Sequence, residues 1–532
     1  MSEEVGRVIG EPSTTAAPFV STNPPRVGEY VILEYEDFRV LGMVEYVLRV
    51  NEALQDVYDE RIIDRIRSLD GGKSEYVKGI VRLLGDVKRP REGYPLPRIP
   101  PPPGTRILRA DTEVLQRIFG RSGRRKLKLG TLLSRHEVEV YVDVNKMVTR
   151  HLAILAITGA GKSNTVAVIA DQLAGLGATM LIFDMHADYV DSDIGNLHRV
   201  EPKLNPFYMT RDELLRLLRI DSSAHRQARV FRAVYKGVRK AIENENTGLS
   251  SEELLGAMKY VLYRLLELDP PDDIVDIGSK LEGLHSYEKL LNVYKQRSFR
   301  DSTFGVLSKL EDFEERLAGV IDSTAKDALE RLRKGMVNVV DLSLLDEEDA
   351  DVVVSHYLRR ILYERKRARV GDSDVDSMEA PVFVVLEEAH ILAPRDRHTM
   401  SKYWIGRIAR EGRKFGVGLC LVSQRPKGLD VDALSQVNNM VILKLVEPGD
   451  QRHVQQASEQ LSEDLLHQLP ALNVGEAVVI GPMVTFPVML KIDKFQGRLG
   501  GSDIDVLGEW EKSRGAAGER AGRHEDLIDM DY

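Results

Sequence analysis

The sequence predicts an α/β protein: a small N-terminal β-barrel over 1–145, a sheet domain over 146–495 interrupted by a helical bundle at about 207–333, and a C-terminal extension over 496–532. Three observations predict it. Short runs that alternate apolar and polar residues between Gly, Pro and Asp fill the first 145 residues, as half-buried strands joined by turns do. From 146 the texture changes to continuous apolar strands separated by helices, the pattern of a parallel sheet covered on both faces. Between about 207 and 333 that alternation stops, and apolar residues recur at helical spacing.

In chain order, GRVIG, EYVILEY, RVLGMVEYVLRV, EYVKGIVRLLGDV and EVEVYVDV read as the barrel strands. RIPPPPGTRI is a rigid connector, because successive prolines remove ladder donors, and a helix is expected over Asp111 to Phe119. The sheet domain opens with the strand Leu152 to Ile157, then a helix, then the buried-type strand ATMLIFDMHADY. Segments such as DELLRLLRI, QARVFRAVYKGVRKAIENE and SEELLGAMKYVLYRLLEL form the inserted bundle, several with capping residues at their starts. The sheet resumes with MVNVVDLSLL, a long helix from Asp346 to about Arg369, and the strand PVFVVLEEAH. A basic helix and the strands VGLCLVSQ, NMVILKL, EAVVIG and PVMLKI complete it, and the charged, Gly-rich tail lies along a surface rather than forming a core.

With 532 residues the chain has room for two or three domains. The single cysteine, Cys420, excludes an intramolecular disulfide and a cysteine metal cluster, and in VGLCLV it reads as a small core residue. No apolar run approaches the ~20 residues that span a bilayer, and the N-terminus lacks a signal pattern, so a cytoplasmic location without membrane contact is expected. A net charge of −9 argues against coating nucleic acid over the whole surface. Local excesses exist, however: nine Lys/Arg against two acids from Ala393 to Lys427, and twelve against four from Gly85 to Gly130.

The chemistry concentrates at HLAILAITGAGKSNT. A strand, a glycine-rich turn, Lys-Ser and a helix form a phosphate-binding loop, in which Thr158, Gly159, Ala160, Gly161, Lys162, Ser163 and Asn164 are the nucleotide-binding candidates. Gly159 and Gly161 let backbone N–H groups approach phosphate oxygens, Lys162 supplies a full charge, and Ser163 would hold Mg²⁺ through its hydroxyl. Ala156 stands where the motif usually begins with Gly. ATP and Mg²⁺ are therefore the expected cofactors. PVFVVLEEAH ends an apolar strand in two carboxylates; since successive strand side chains alternate in direction, Glu387 is assigned to the metal and Glu388 to the attacking water. Gln424, ending VGLCLVSQ, suits a sensor of the γ-phosphate. Asp184, His186 and Asp188 end a strand at the edge where parallel sheets bind ligands; they lack the further ligands of a metal site. Arg407, Arg410 and Arg413 or Lys414 step along one side of the basic helix, and Arg413 is the preferred arginine finger for a neighbouring subunit's nucleotide site.

In their order along the chain, GRVIG, GEYVILEY, PPPGTRI, ITGAGKSNT, FDMHADY, LEEAH and IAREGRKFG followed by LVSQRP resemble the HerA family, archaeal hexameric DNA-translocating ATPases of the HerA/FtsK group. The resemblance covers nearly the whole chain. It implies a RecA-like P-loop ATPase core behind the barrel, a homohexameric ring that pumps double-stranded DNA, and action with a NurA-type nuclease, held through the N-terminal barrel, in resecting DNA ends for recombinational repair. It also implies a second arginine at a nucleotide site, Arg150 in VTRHLAI, and Asp184 as a further active-site acid. Glu rather than Asp at 387 is a mild departure. In such a ring the loop PRDRH would line the channel, where Arg395 and Arg397 contact phosphates without reading bases. Two other readings, a conjugation- or secretion-type ATPase and a nucleotide-switched scaffold, differ from this one in whether duplex DNA stimulates ATP turnover.

Overall fold

The computed structural model describes residues 3–71, 74–221, 223–243, 247–371, 378–458, 460–501, 505–508 and 510. Six strands, β1 (Glu4–Val8), β2 (Ala16–Ser21), β3 (Tyr30–Tyr35), β4 (Phe38–Asn51), β5 (Glu75–Asp86) and β6 (Arg106–Arg109), close into a barrel in the order β1-β2-β5-β4-β3-β6. Alternate residues point inward, so Val5, Ala17, Phe19, Val31, Leu33, Val40, Val81 and Ile107 fill it. The helix α1 (Glu60–Asp70) crosses between β4 and β5, capped by Asp59 and Gly71, with no buried residue. Its low apolar content left it unread in the sequence.

The next strands correct the expected barrel boundary. β7 (Lys126–Leu132) and β8 (Glu139–Asp143, in EVEVYVDV) pair with each other and join the large sheet, not the barrel. Period-2 alternation marks a half-buried strand but carries no information about which sheet it enters. Between β6 and β7 lies α2 (Thr112–Phe119), and after β8 the short α3 (Val144–Thr149). Gly130 lets β7 approach β17, since a Cβ there would stand 1.9 Å from the Lys491 carbonyl.

The large sheet has eleven strands, adding β9 (Leu152–Leu155), β10 (Thr179–Asp184), β11 (Leu197–Val200), β12 (Val337–Asp341), β13 (Val382–Leu386), β14 (Val417–Ser423), β15 (Asn439–Ile442), β16 (Glu476–Ile480) and β17 (Val488–Ile492). Their order is β11-β12-β10-β13-β14-β9-β15-β16-β17-β7-β8. From β11 to β15 neighbours are parallel, and beyond β15 they are antiparallel. The central parallel strands β9, β13 and β14 are buried on both faces, which explains their unbroken apolar runs. Helix α4 (Lys162–Gly175) follows β9.

Between β11 and β12 the chain forms α5 (Arg211–Leu217), α6 (His225–Ile242), α7 (Leu254–Leu266), α8 (Asp272–Ser279), α9 (His285–Tyr294) and α10 (Arg300–Arg316). A capping box of Thr210 and Glu213 starts α5. Then come α11 (Glu347–Val370), started by the Asp346 side chain and ended by Gly371 at φ 84°, α12 (Ala389–Leu392) and α13 (Met400–Phe415). The barrel is joined to the sheet domain: the Tyr30 hydroxyl donates to Pro487 O at 2.9 Å, and Ser462 donates to Glu45 at 2.5 Å. Most of the expected C-terminal extension lies outside the described residues; of the part described, Arg498 N–H donates to Asp193 and Gly500 N–H to Asp188 O. Among the described residues no helix is long and apolar enough to cross a membrane.

Candidate nucleotide-hydrolysis site

The site is assembled where β9, β10, β13 and β14 end together, because parallel strands in register bring their carboxyl ends to one edge. After β9 the chain turns through Gly159 (φ 75°) and Gly161 (φ 108°), conformations that favour glycine. Ala156 is fully buried under this turn, so its methyl group fits where the motif usually has Gly. Helix α4 begins at Lys162 without any side chain capping its N-terminus. Its first N–H groups and positive dipole end are thus left for an anion, and a phosphate fits there.

Lys162 Nζ lies 3.2 Å from Glu388 Oε1. Glu388 itself, two residues beyond the end of β13, adopts a left-handed backbone, φ 46° and ψ 45°, a conformation that costs on the order of 1 kcal/mol for a non-glycine residue. Glu388 is turned to the Lys162 ammonium, while Glu387 is held by the Tyr189 hydroxyl. Their titrations differ as well. Burial pushes the Glu387 carboxyl up to about 7, only partly offset by Lys162 and by the Tyr189 hydroxyl that donates to it. For Glu388, burial is outweighed by His390 and Lys162, so its carboxyl titrates below the usual range. At neutral pH Glu388 is therefore ionised, while Glu387 is ionised only in part. Its Oε2 is buried, 3.1 Å from His390 Nδ1 but without a hydrogen-bond donor in line.

Other expected residues have different partners. Ser163 donates to Asp188 Oδ2 at 2.8 Å, so the carboxylate beside the expected metal-binding hydroxyl is Asp188, while Glu387 is held by Tyr189. A hydroxyl with a neighbouring carboxylate is a donor set that suits Mg²⁺. Among the described residues no denser cluster of metal-ligating side chains occurs, including around His186. Asp184 is fully buried and accepts from the backbone N–H groups of Asp188 (3.0 Å), Tyr189 (2.8 Å) and Val190 (3.2 Å). It therefore builds the turn that presents Asp188. Burial keeps its carboxyl above the ordinary value. The Asn164 side chain is likewise occupied, donating to Asp493 O and accepting from Phe495 N–H at 2.9 Å each, so only its backbone remains for nucleotide. Gln424 meets the loop directly, its Oε1 accepting from the Thr158 hydroxyl at 2.6 Å. A cavity of about 860 Å³ opens beside these two, lined also by Arg425, Lys427, Glu447 and Asp450.

Arg150 and Arg413 lie elsewhere. Arg413 closes α13 just before β14 and Gln424 follows that strand, so the seven residues of β14 separate them, roughly 23 Å at about 3.3 Å per residue. Arg150 likewise precedes β9, whose far end carries the phosphate loop. Both arginines therefore occupy the opposite edge of the sheet from the site of their own chain. His151, next to Arg150 in the chain, ties the start of β9 to β14 and α13: its Nδ1 accepts from Leu419 N–H at 3.0 Å, which leaves Nε2 protonated and donating to Ala409 O of α13 at 3.1 Å. Burial pulls the His151 pKa down to about 4, so the ring is neutral. Sequence reasoning passed over His151, since a lone histidine beside a strand carries no pattern. Of the basic stripe, Arg407 pairs with Glu411 at 3.3 Å and lies over Trp404, whereas Arg410 and Arg413 are exposed without an ion pair among the described residues.

Arg395 and Arg397 are exposed in the loop before α13. A bridge between Pro394 and Leu429 places that loop against the Arg425 to Leu429 segment, and Arg397 pairs with Glu347 at 2.6 Å.

The chain matches the family model "Helicase HerA, central domain" over residues 127–361 and the HAS barrel domain over 5–89. It is 42% identical over 513 residues to the DNA double-strand break repair helicase HerA of Saccharolobus solfataricus, covering 96% of each chain. It is 40% identical over 517 residues to a probable helicase of Methanocaldococcus jannaschii, covering 96% of this chain and 94% of that one. Among solved structures it is similar to the bacterial conjugative coupling protein TrwBΔN70, 15% identical with a TM-score of 0.46, over 73% of this chain and 93% of that one. On relatedness that runs through barrel and sheet domain alike, the chain belongs to the HerA helicase family and is an ATP-hydrolysing enzyme.

Proposed function

We propose that the chain is one subunit of a homohexameric ring that uses ATP hydrolysis to move along double-stranded DNA and acts, with a NurA-type nuclease held by the N-terminal barrel, in resecting DNA ends for recombinational repair. One observation carries the reading: the hydrolytic carboxylate and phosphate loop stand at one edge of the sheet, and Arg150 and Arg413 at the other. A subunit so divided completes its site only with a second copy, whose arginines enter from outside.

In this reading the α4 N-terminus and Lys162 bind the phosphates. Drawing the Lys162 ammonium to them takes it from Glu388 Oε1, which is then free to orient the attacking water. Gln424, tethered to Thr158, senses whether the γ-phosphate is present. Ser163, with Asp188 behind it, would hold Mg²⁺, which neutralises charge on the transferred group. Arg413 and Arg150 of the neighbouring copy stabilise charge that develops only in the transition state. Exposed Arg395 and Arg397 would contact DNA phosphates in the channel. The test is ATP turnover with and without linear duplex, alone and with the nuclease: strong stimulation by duplex is expected, and slow turnover indifferent to DNA would overturn the reading.

A further inference from the structure

The inserted bundle carries a surface that the hydrolysis site does not use. Helix α6 contains six Lys/Arg and no Asp or Glu in eighteen residues. Its apolar side, through Phe231, Val234 and Val238, is buried in the bundle. Its outer side presents Arg226, Arg229, Arg232, Lys236 and Lys240 to solvent, none in an ion pair among the described residues. The sixth, Arg239, is paired with Glu243 at 2.9 Å. A groove of about 820 Å³ runs along this face, lined by Arg211, Arg229, Arg232, Lys236, Lys240 and Tyr294 among others.

A merely solvated helix would mix its charges. Here Arg232 with Lys236, and Lys236 with Lys240, are like-charge pairs at i,i+4, each costing about 0.2–0.5 kcal/mol. A face that accepts this repulsion is built for an anion. The anion must be extended, because Lys240 lies fourteen positions after Arg226 on the helix, about 21 Å at 1.5 Å per residue. Along that length duplex DNA presents roughly a dozen phosphates at one charge per about 1.7 Å. Arg229 lies over the rings of Tyr294 (6.0 Å) and Phe299 (5.6 Å), which fix its guanidinium on the groove wall. Because Arg229 covers them, these rings are not open platforms for unpaired bases, which favours a duplex backbone over a single strand.

We propose that the outer face of α6 is a second contact for duplex DNA, binding the phosphate backbone without reading sequence. The choice of DNA rests on the proposed function above; the polyanion surface itself rests only on α6. Removing Arg229, Arg232 and Lys236 together by substitution with Ala should weaken binding of a 30-base-pair duplex at least tenfold at moderate salt and reduce the slope of log affinity against log salt by about 2 to 3. Arg61→Ala, Arg65→Ala and Arg67→Ala together make the same charge change on exposed α1 and should do neither. Since Cys420 is buried, Lys236→Cys carries one reactive thiol, and a photocrosslinker placed there should attach to the duplex. The proposal is overturned if affinity and salt slope are unchanged, if the α1 control falls equally, if no crosslink forms, or if a poly-glutamate peptide of equal charge takes up the crosslinker as well as duplex does. Wild-type protein that fails to bind duplex at all would instead overturn the proposed function.

Discussion

Glu387 and Glu388 are neighbours in sequence but titrate in opposite directions, the first raised by burial and the second lowered by His390 and Lys162. Glu388→Gln is expected to retain nucleotide binding and lose hydrolysis by about 10²-fold or more, because the amide cannot accept a proton from the attacking water. Lys162→Ala should abolish turnover, since nothing else in the loop places a full positive charge on the phosphates. Normal steady-state ATP turnover in either variant would refute the assignment. Glu387 carries a pH prediction. Its folded pKa, about 7, stands above the unfolded value of about 4.5, so its contribution to stability is intact below about pH 4.5 and is lost as pH rises through about 7. At pH 8 the buried carboxylate costs at most roughly 3 kcal/mol. Glu387→Gln should therefore raise the melting temperature by a few degrees at pH 8 and leave it unchanged near pH 4. Thermal unfolding at the two pH values checks this, and equal shifts at both would show that the charge is not the cause.

At the scale of elements, the candidate residues are divided between the two ends of strands. The ends of β9, β10, β13 and β14 carry the phosphate loop, Asp188, the two glutamates and Gln424; the starts of β9 and β14 carry Arg150 and Arg413, where His151 links β14 to α13. The loop before α13 belongs to the first edge, since the Pro394 bridge holds it against the segment that follows Gln424. Replacing Arg395 and Arg397 with Ala should weaken duplex binding about equally on unrelated sequences and lower the salt slope by about 2. The structure adds an order to this: Arg397 already has Glu347 as a partner, so Arg395→Ala alone should cost more than Arg397→Ala. Fluorescence anisotropy over a salt series measures both, and a base-sequence-dependent loss would contradict a backbone contact.

At the scale of the whole molecule, the roughly 23 Å between Arg413 and the edge that carries the phosphate loop means that Arg413, in the role proposed for it, acts on the site of a neighbouring copy. Arg413→Ala should lower turnover by about 10³-fold or more while nucleotide binding and ring assembly persist. Mixing Arg413→Ala with Glu388→Gln subunits should restore some activity, because an intact Glu388 then meets a neighbour's intact Arg413 at some interfaces. Co-assembly is verified first, by pull-down of one tagged variant with the other. Co-assembled mixtures that stay inactive, together with normal turnover by Arg413→Ala alone, would remove Arg413 from the site and leave Arg150 or Arg410 as the trans-acting group.

The sequence by itself determined the α/β class, the barrel-type strands ahead of a parallel sheet, the phosphate loop and the strand-end acids, because each depends on local chemistry: glycine at positive φ, residue periodicity, and polar side chains where an apolar strand stops. Tertiary structure decided what depends on partners distant in the chain. The alternation of β7 and β8 could not say that they complete the large sheet, since the same period serves either sheet. The motif could not say that Asn164 is engaged by residues 493 and 495, that Asp184 builds a turn for Asp188, or that Asp188 and not Glu387 meets Ser163. Nor could spacing reveal the left-handed turn at Glu388, which two glutamates in sequence do not encode. Those outcomes follow from which strands lie side by side, and only the folded sheet brings residues hundreds of positions apart to one edge.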